Sequence, residues 1–141
     1  MSDRLARLRK NWIENWQYPE IHHMKPTKWQ WIVSHPENLK MGRYVDIGAF
    51  TFLHAAYGKI VLEDYCAVGS HSVIYTRDDT ADVEGDVVVE SGAYIPGHTV
   101  ILPGVTIGED AIIGAHSLIK RDIPPREVWA GIPARFIRKV A

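Results

Sequence analysis

Aliphatic residues recur at every sixth position in the second half of the chain. They are Val89, Ile95, Ile101, Ile107, Ile113 and Ile119. The fifth residue of each six-residue unit is smaller, as at Ala93, Thr99, Val105, Ala111 and Ser117. This period fits neither a helix nor an ordinary alternating strand. It predicts a parallel β-helix, in which three units close one triangular coil of eighteen residues and both positions face the interior.

The same period extends towards the N-terminus, with two interruptions. Its members there are Ile47, Leu53, Leu62, Val68 and Ile74. The spacing of nine between Leu53 and Leu62 predicts a bulged corner in one coil. The polar segment "YTRDDTADVEGDVV" has no six-residue unit of its own. We therefore expect a loop that leaves the coil near residues 76–86. Loops held by a rigid scaffold commonly contain functional residues.

These patterns predict an all-β protein of about four coils with an added segment at each end. Residues 1–44 are expected to form an N-terminal helix and a capping segment, residues 45–123 the β-helix, and residues 124–141 a C-terminal cap. The stretch "SDRLARLRKNWIENW" has a capping Ser2 and apolar residues near helical spacing. Four of the five tryptophans precede residue 32. We expect them to cover the open first coil or to pack on another subunit.

Composition narrows the possible partners and compartment. Sixteen basic residues against seventeen acidic ones give a net charge of −1, which offers no electrostatic basis for binding nucleic acid or an anionic membrane. The sequence contains no apolar stretch typical of a membrane span or secretory signal. Cys66 is the single cysteine, so no internal disulfide can form, and its place in the repeat predicts a small core residue. These features favour a cytoplasmic protein.

Three histidines occupy equivalent turn positions if the 76–86 loop leaves the coil. His71, His98 and His116 would then stack along one outer edge, because eighteen residues complete one coil. Such histidines often have only a structural place in the turn, and His71 is one candidate base among several.

The segment "ILPGVTIGEDAIIGAHSLIKRDIPPREVWAGIPARFIRK" resembles the closing part of the hexapeptide-repeat acyltransferases, which have left-handed β-helix folds. The resemblance covers roughly residues 45–138. It implies a homotrimer that transfers an acetyl group from acetyl-CoA, with the thioester in a groove between subunits and no metal. The implied acceptor is a sugar hydroxyl or amine, including a nucleotide-linked amino sugar used for surface polysaccharide.

Matching to the family motif suggests which residues bind coenzyme A. Gly97 and Ala115 match positions beside the pantetheine arm, where exposed backbone groups can meet its amides. Lys120 and Arg138 match positions near the phosphates and adenine, where cations offer charge-assisted hydrogen bonds. The alternative for these two cations is a solvated basic end of the chain.

At the catalytic base, the sequence departs from the pattern of the family it resembles. Many sugar O-acetyltransferases of this family carry a histidine in the loop after "IYT", and Asp79 stands in the matching place. A carboxylate is a poor base for a hydroxyl, so His54, at the irregular corner, and His71 become the candidate bases. A sugar amine would need no protein base. Asp78 and Asp79, with Asp82 and Arg77, would then hold hydroxyls or a nucleotide phosphate of the acceptor. The alternative is an acidic loop without a role.

Two other classes are consistent with the same repeats. A metal enzyme of the gamma carbonic anhydrase kind uses three histidines, but zinc requires ligands that converge on one point, and stacked turn positions are parallel. A trimeric scaffold without catalysis is the second. Binding of acetyl-CoA would distinguish an acetyltransferase from a scaffold.

Overall fold

The computed structural model describes Lys10 and residues 12–141. Three parallel sheets form the faces of a triangular prism. The strands of the first face are Ile32–Ser34, Phe52–His54, Val73–Tyr75, Val100–Ile101 and Leu118–Ile119. Those of the second are Leu39–Met41, Ile60–Leu62, Val87–Val89 and Thr106–Ile107. Those of the third are Asp46–Ile47, Ala67–Val68, Tyr94–Ile95, Ile112–Ile113 and Glu127–Gly131. The predicted parallel β-helix is therefore confirmed.

The six-residue period corresponds to the interior of the prism. The aliphatic residues of the uninterrupted series from Val89 to Ile119 are at most 1% exposed, and full burial of one such side chain contributes about 1.5–3 kcal/mol. The smaller fifth residues are buried beside them. Where these carry hydroxyls, the hydroxyls bond within the turn: Thr99 donates to Pro96 O at 3.0 Å and Ser117 to Gly114 O at 2.6 Å. The turns are thus closed without leaving these polar groups unsatisfied.

The coil begins earlier than the expected boundary at residue 45. Ile32–Ser34 pairs in parallel with Phe52–His54, and Leu39–Met41 pairs with Ile60–Leu62. The inward residues of this first coil are Val33, Met41 and Ile47 by register. A short 3₁₀ turn at Pro36–Asn38 lengthens the first spacing to eight residues, which hides the period in the sequence.

The N-terminal segment covers the open end of this first coil. Trp31 is buried among Val33, Val45 and Ile47 in the core cluster. The indole of Trp16 donates to Val45 O at 3.1 Å. Lys10 and residues 12–15 are helical, and Trp16 is not. Ser2 and the other residues of the predicted helix before Lys10 lie outside the described residues. The described residues contain no helix long and apolar enough to cross a membrane.

The coil also continues past the expected exit at Pro124–Pro125. Ile123 bridges to Ile107, and Glu127–Gly131 pairs in parallel with Ile112–Ile113 as the last strand of the third face. Only Ala134–Lys139 departs from the parallel order, because it turns back antiparallel along Glu127–Gly131. This final strand covers the edge that the last coil would otherwise expose.

One excursion leaves the prism between the first and second faces. After Val73–Tyr75, strands Arg77–Asp78 and Val83–Glu84 pair antiparallel, and the chain rejoins the second face at Val87–Val89. We call residues 77–84 the hairpin.

Candidate functional site

Four aromatic side chains form a column along the corner between the third and first faces, which we call the histidine edge. The rings of His71 and His98 stack with centroids 4.8 Å apart, and those of His98 and His116 with centroids 4.9 Å apart. Phe50 continues the column 5.1 Å below His71. All four residues have φ near +60°, because each lies at the tight turn where one face bends into the next. The predicted stacking of the three histidines is confirmed.

The histidine edge does not have the geometry of a zinc site. The rings of His71 and His98 are nearly parallel, at an interplanar angle of 5°, so their nitrogens do not converge as tetrahedral coordination requires. The described part of the chain contains no group of three or more His, Cys, Asp or Glu side chains placed to hold a metal.

His54 lies at the opposite edge of the first face, which we call the hairpin edge. It ends the strand Phe52–His54 and pairs in register with Tyr75, the last strand residue before the hairpin. The rings of Phe52, Tyr57 and Tyr75 surround it at centroid distances of 5.7, 5.7 and 6.0 Å. His54 is half-buried. Its Nδ1 is fully buried and has no hydrogen-bond partner among the described residues.

Thr76 fixes the backbone of this corner. Its hydroxyl donates to His54 O at 2.6 Å and accepts a hydrogen bond from Tyr57 N at 3.1 Å. Thr76 is completely buried, so these bonds are protected from water and strengthened by the low local dielectric. The hydroxyl therefore links the irregular corner after His54 to the base of the hairpin.

A single arginine organises the hairpin. Arg77 bonds to Asp79 at 2.6 Å, to Asp82 at 2.8 Å and to Glu84 at 2.8 Å. The hydrogen bonds that Arg77 donates to Asp82 and Asp79 raise the pKa of its guanidinium above the usual range. The guanidinium also lies 5.7 Å from the ring centroid of Tyr57, which places the hairpin directly beside the His54 corner.

The two aspartates expected to contact an acceptor already have partners in the hairpin. Asp78 Oδ1 accepts hydrogen bonds from Thr80 N at 3.0 Å and Ala81 N at 3.4 Å, which closes the turn. Asp79 is largely exposed and is bound to Arg77. Their roles towards an acceptor remain proposals.

The residues expected to bind coenzyme A fall on three parts of the prism. Gly97 and Ala115 precede His98 and His116, so they lie one coil apart on the histidine edge. Lys120 follows Ile119 and belongs to the hairpin edge, about three strand spacings, or ~14 Å, from His54. Arg138 is opposite Val128 on the third face. Lys120 and Arg138 are both exposed.

Within one chain, the structure therefore does not bring the expected site residues together. The candidate bases His54 and His71 lie at opposite edges of the first face. The sequence reasoning also missed Tyr57 and Thr76 as parts of the His54 corner. The irregular spacing of nine between Leu53 and Leu62 marked the corner, but it did not identify these contacts.

A separate cleft of about 400 Å³ lies at the N-terminal end of the prism. Its lining includes four tryptophans of the N-terminal segment: Trp12, Trp16, Trp29 and Trp31. The cleft contains none of the expected site residues. We therefore assign the candidate site to the two edges of the first face, where the candidate bases His54 and His71 lie.

Comparison with known proteins identifies the family. Residues 86–121 match the family model described as bacterial transferase hexapeptide (six repeats). The galactoside O-acetyltransferase of Escherichia coli K12 is 30% identical over 124 residues, which cover 77% of this chain and 60% of that protein. A chloramphenicol acetyltransferase of Agrobacterium fabrum is 38% identical over 55 residues, or 39% of this chain and 26% of that protein. The chain thus spans at most 60% of the length of these relatives.

Solved structures share the fold. A hexapeptide-repeat acetyltransferase of Vibrio cholerae in complex with acetyl coenzyme A superposes with a TM-score of 0.74 at 24% identity, covering 79% of this chain and 65% of that one. A maltose O-acetyltransferase of Clostridium difficile gives a TM-score of 0.72 at 26% identity, covering 79% and 64%. These structural neighbours are left-handed β-helices, and the shared fold gives the same handedness for this chain. The chain belongs to the hexapeptide-repeat family of left-handed β-helix proteins, whose relatives named above are acetyltransferases.

Proposed function

We propose that this protein is an acetyltransferase that moves an acetyl group from acetyl-CoA to a hydroxyl or amine of a sugar. The family and the acetyltransferase names of its relatives support the reaction class. The observation that carries the assignment is the His54 corner. There, an imidazole, a buried hydroxyl and a polar hairpin meet at one edge of a rigid prism. A rigid scaffold with a polar excursion suits the positioning of two reactants.

Coenzyme A would lie along the histidine edge under this proposal. Gly97 and Ala115 have little or no side chain to obstruct the pantetheine arm, and their backbone amides suit its amide groups. The exposed cations Lys120 and Arg138 would bind phosphate by charge-assisted hydrogen bonds. The acyl end supplies an electrophilic thioester carbon, which must meet the acceptor near a base.

A trimer would bring the two edges of the first face together. Each strand of this face carries an apolar outward residue: Ile32, Phe52, Val73, Val100 and Leu118. Ser34, His54 and Tyr75 are the other outward strand residues, at the hairpin edge. If three copies direct this face towards a common axis, the histidine edge of one protomer meets the hairpin edge of the next. The groove between them would then contain Gly97 and Ala115 from one chain and His54 from its neighbour. The row of apolar side chains along this face suits such a self-association.

For a hydroxyl acceptor, His54 would act as the base. Its buried Nδ1 leaves Nε2 as the nitrogen available to an acceptor. Nε2 would take the hydroxyl proton as the oxygen attacks the thioester carbon. The carbon–sulfur bond then breaks, and the sulfur leaves with that proton. His71 is the alternative base, on the edge of the neighbouring chain.

The further proposals follow from the family. The acceptor would be a precursor of a surface polysaccharide, and the reaction would occur in the cytoplasm. Both are tested by identifying the acceptor in extracts of the native host.

Acetyl-CoA binding and transfer test the proposal directly. Isothermal titration should detect acetyl-CoA binding by the wild type. We expect weaker binding, by about tenfold, in the Lys120→Ala, Arg138→Ala double variant, because two charge-assisted contacts are lost. Arg43→Ala with Lys40→Ala, at the N-terminal end of the prism, is the matched control for net charge. Absence of binding by the wild type would contradict the proposal and favour a scaffold.

The role of His54 needs a separate measurement. His54→Gln should lower kcat for a hydroxyl acceptor by about 10²–10⁴ while leaving the Kd for acetyl-CoA unchanged. His71→Gln and His116→Gln serve as comparisons on the other edge. A full rate in His54→Gln, together with a loss in His71→Gln, would transfer the role to His71.

A further inference from the structure

We propose that the acceptor is an amino sugar without a phosphate or carboxylate group, and that Asp79, Asp82 and Glu84 determine this preference. The inference rests on the proposed acetyl transfer at the His54 corner. It narrows the acceptor to one charge class and one nucleophile, and it excludes a nucleotide-linked sugar.

The charge of the hairpin is the first observation. Residues 76–86 contain one arginine against four aspartates and one glutamate, a net charge of −4. The carboxylates that bind Arg77 are at least half exposed, so their field reaches the solvent beside the site. Such a surface repels a phosphorylated ligand and attracts an ammonium group.

The second observation is that Arg77 is already occupied. Its three side-chain nitrogens each bond a different carboxylate, and only 24% of the side chain is exposed. A phosphate could use this guanidinium only by displacing Asp79, Asp82 or Glu84. The backbone N–H of Lys59 donates to Asp86 at the foot of the hairpin, and counting this lysine with residues 76–86 gives a net charge of −3. The hairpin itself, whose one arginine is Arg77, therefore has no unpaired guanidinium to offer a phosphate.

The hairpin is close enough to the proposed site to act on an acceptor. The Arg77 guanidinium lies 5.7 Å from the Tyr57 ring, and that ring lies 5.7 Å from the imidazole of His54. Thr76, next to Arg77, bonds the His54 carbonyl. Three contacts thus connect the carboxylates to the imidazole, through Arg77 and Tyr57. This separation is within the range of unscreened electrostatics at low ionic strength.

The hydrogen-bond state of His54 favours an amine as the nucleophile. To act as a base at Nε2, neutral His54 must carry its proton on Nδ1. Nδ1 is fully buried and has no acceptor among the described residues, so that tautomer leaves a buried N–H unsatisfied. An amine avoids this requirement because its neutral form attacks without a base. The ammonium first releases a proton to water, and the nitrogen attacks the thioester carbon. The carbon–sulfur bond then breaks, and the thiolate takes the second nitrogen proton.

The test compares acceptors that differ in charge or nucleophile. Acetyl transfer from acetyl-CoA is measured with glucosamine, glucosamine 6-phosphate, uridine diphosphate-linked glucosamine and methyl galactoside, and the products are assigned to nitrogen or oxygen by NMR. At an ionic strength of about 0.01 M, where the Debye length is about 30 Å, we expect kcat/KM for glucosamine to exceed that for each phosphorylated acceptor by about tenfold or more. The difference should shrink at about 0.3 M salt.

Variants assign the preference to named residues. The Asp79→Asn, Asp82→Asn, Glu84→Gln variant should lose most of the discrimination between glucosamine and its 6-phosphate, with the KM for acetyl-CoA unchanged. The control neutralises three carboxylates on another edge: Glu90→Gln, Glu109→Gln and Asp110→Asn. If the hairpin variant fails to fold, the salt dependence of the wild type still decides.

The outcomes separate this inference from the proposed function. Equal or better use of a phosphorylated acceptor at low salt, or transfer only to oxygen, overturns the inference and leaves the acetyltransferase assignment intact. Binding of acetyl-CoA without transfer to glucosamine also overturns it. Failure to bind acetyl-CoA overturns the proposed function itself.

Discussion

Replacing Thr76 by valine removes one hydroxyl from the His54 corner while keeping the shape of the side chain. The hydroxyl makes two hydrogen bonds, to His54 O at 2.6 Å and from Tyr57 N at 3.1 Å. His54 O keeps its bond from Thr76 N at 3.2 Å, so the main loss is at Tyr57. The lost hydrogen bond contributes ~1 kcal/mol, and the partly desolvated Tyr57 amide that is left without an acceptor adds to the loss. Together they should lower the free energy of unfolding by ~2 kcal/mol.

Two measurements examine this prediction. The unfolding midpoint of Thr76→Val should fall by about 4–8 °C, given about 2–4 °C per kcal/mol for a domain near this size. Hydrogen exchange at the Tyr57 amide should become faster, because that amide loses its acceptor. The control Thr76→Ser keeps both hydrogen bonds and loses a methyl group worth ~1 kcal/mol, so Tyr57 should stay protected. Unchanged protection of Tyr57 in Thr76→Val would refute the reasoning.

Three further substitutions test the stacking of the coils, each by chemical denaturation. Ile101→Ala empties an inward position that is 0% exposed and should lower the free energy of unfolding by about 2–5 kcal/mol. The control Leu102→Ala, on the outer surface, should lower it by less than half as much. Equal losses would contradict the assignment of inward positions. His98→Val should lower the free energy of unfolding by about 1–2 kcal/mol, because a β-branched residue is unfavourable at φ 58°. The control His98→Asn should lower it by less than ~0.5 kcal/mol. Equal stabilities of the two variants would show that backbone strain does not restrict this turn. Gly69→Ala places a Cβ 2.6 Å from Pro96 C and against the next backbone amide, at a cost of about 1–3 kcal/mol. Gly104→Ala meets no atom within 4 Å and should lose only ~1 kcal/mol through its positive φ; a larger loss there than at Gly69 would mean that coil contact is not the limiting factor.

The regular part of the fold could be predicted residue by residue. Every coil stacks on the next, so an inward position such as Ile101 is constrained by Ile74 below and Ile119 above. Because every inward position is constrained in this way, aliphatic residues recur in the sequence with the six-residue period. The same argument placed the histidine column, because residues separated by whole coils lie above one another.

The irregular parts could not be predicted in the same way. The first coil was missed because a 3₁₀ turn at Pro36–Asn38 breaks the period and Met41 replaces a branched aliphatic residue. The last strand, Glu127–Gly131, was assigned to the cap because two prolines precede it. Contacts at the His54 corner, such as those of Tyr57 and Thr76, arise where residues are inserted. Inserted residues do not follow the six-residue period, so the sequence pattern does not indicate which residues they contact.

A crystal structure of the protein with acetyl-CoA tests the central claim most directly. The account predicts three copies around one axis, with coenzyme A between the histidine edge of one protomer and the hairpin edge of its neighbour. The thioester should lie within hydrogen-bonding reach of the His54 corner, and the pantetheine arm should pass Gly97 and Ala115. Coenzyme A bound elsewhere on the prism, or first faces left apart and exposed to solvent, would contradict the account.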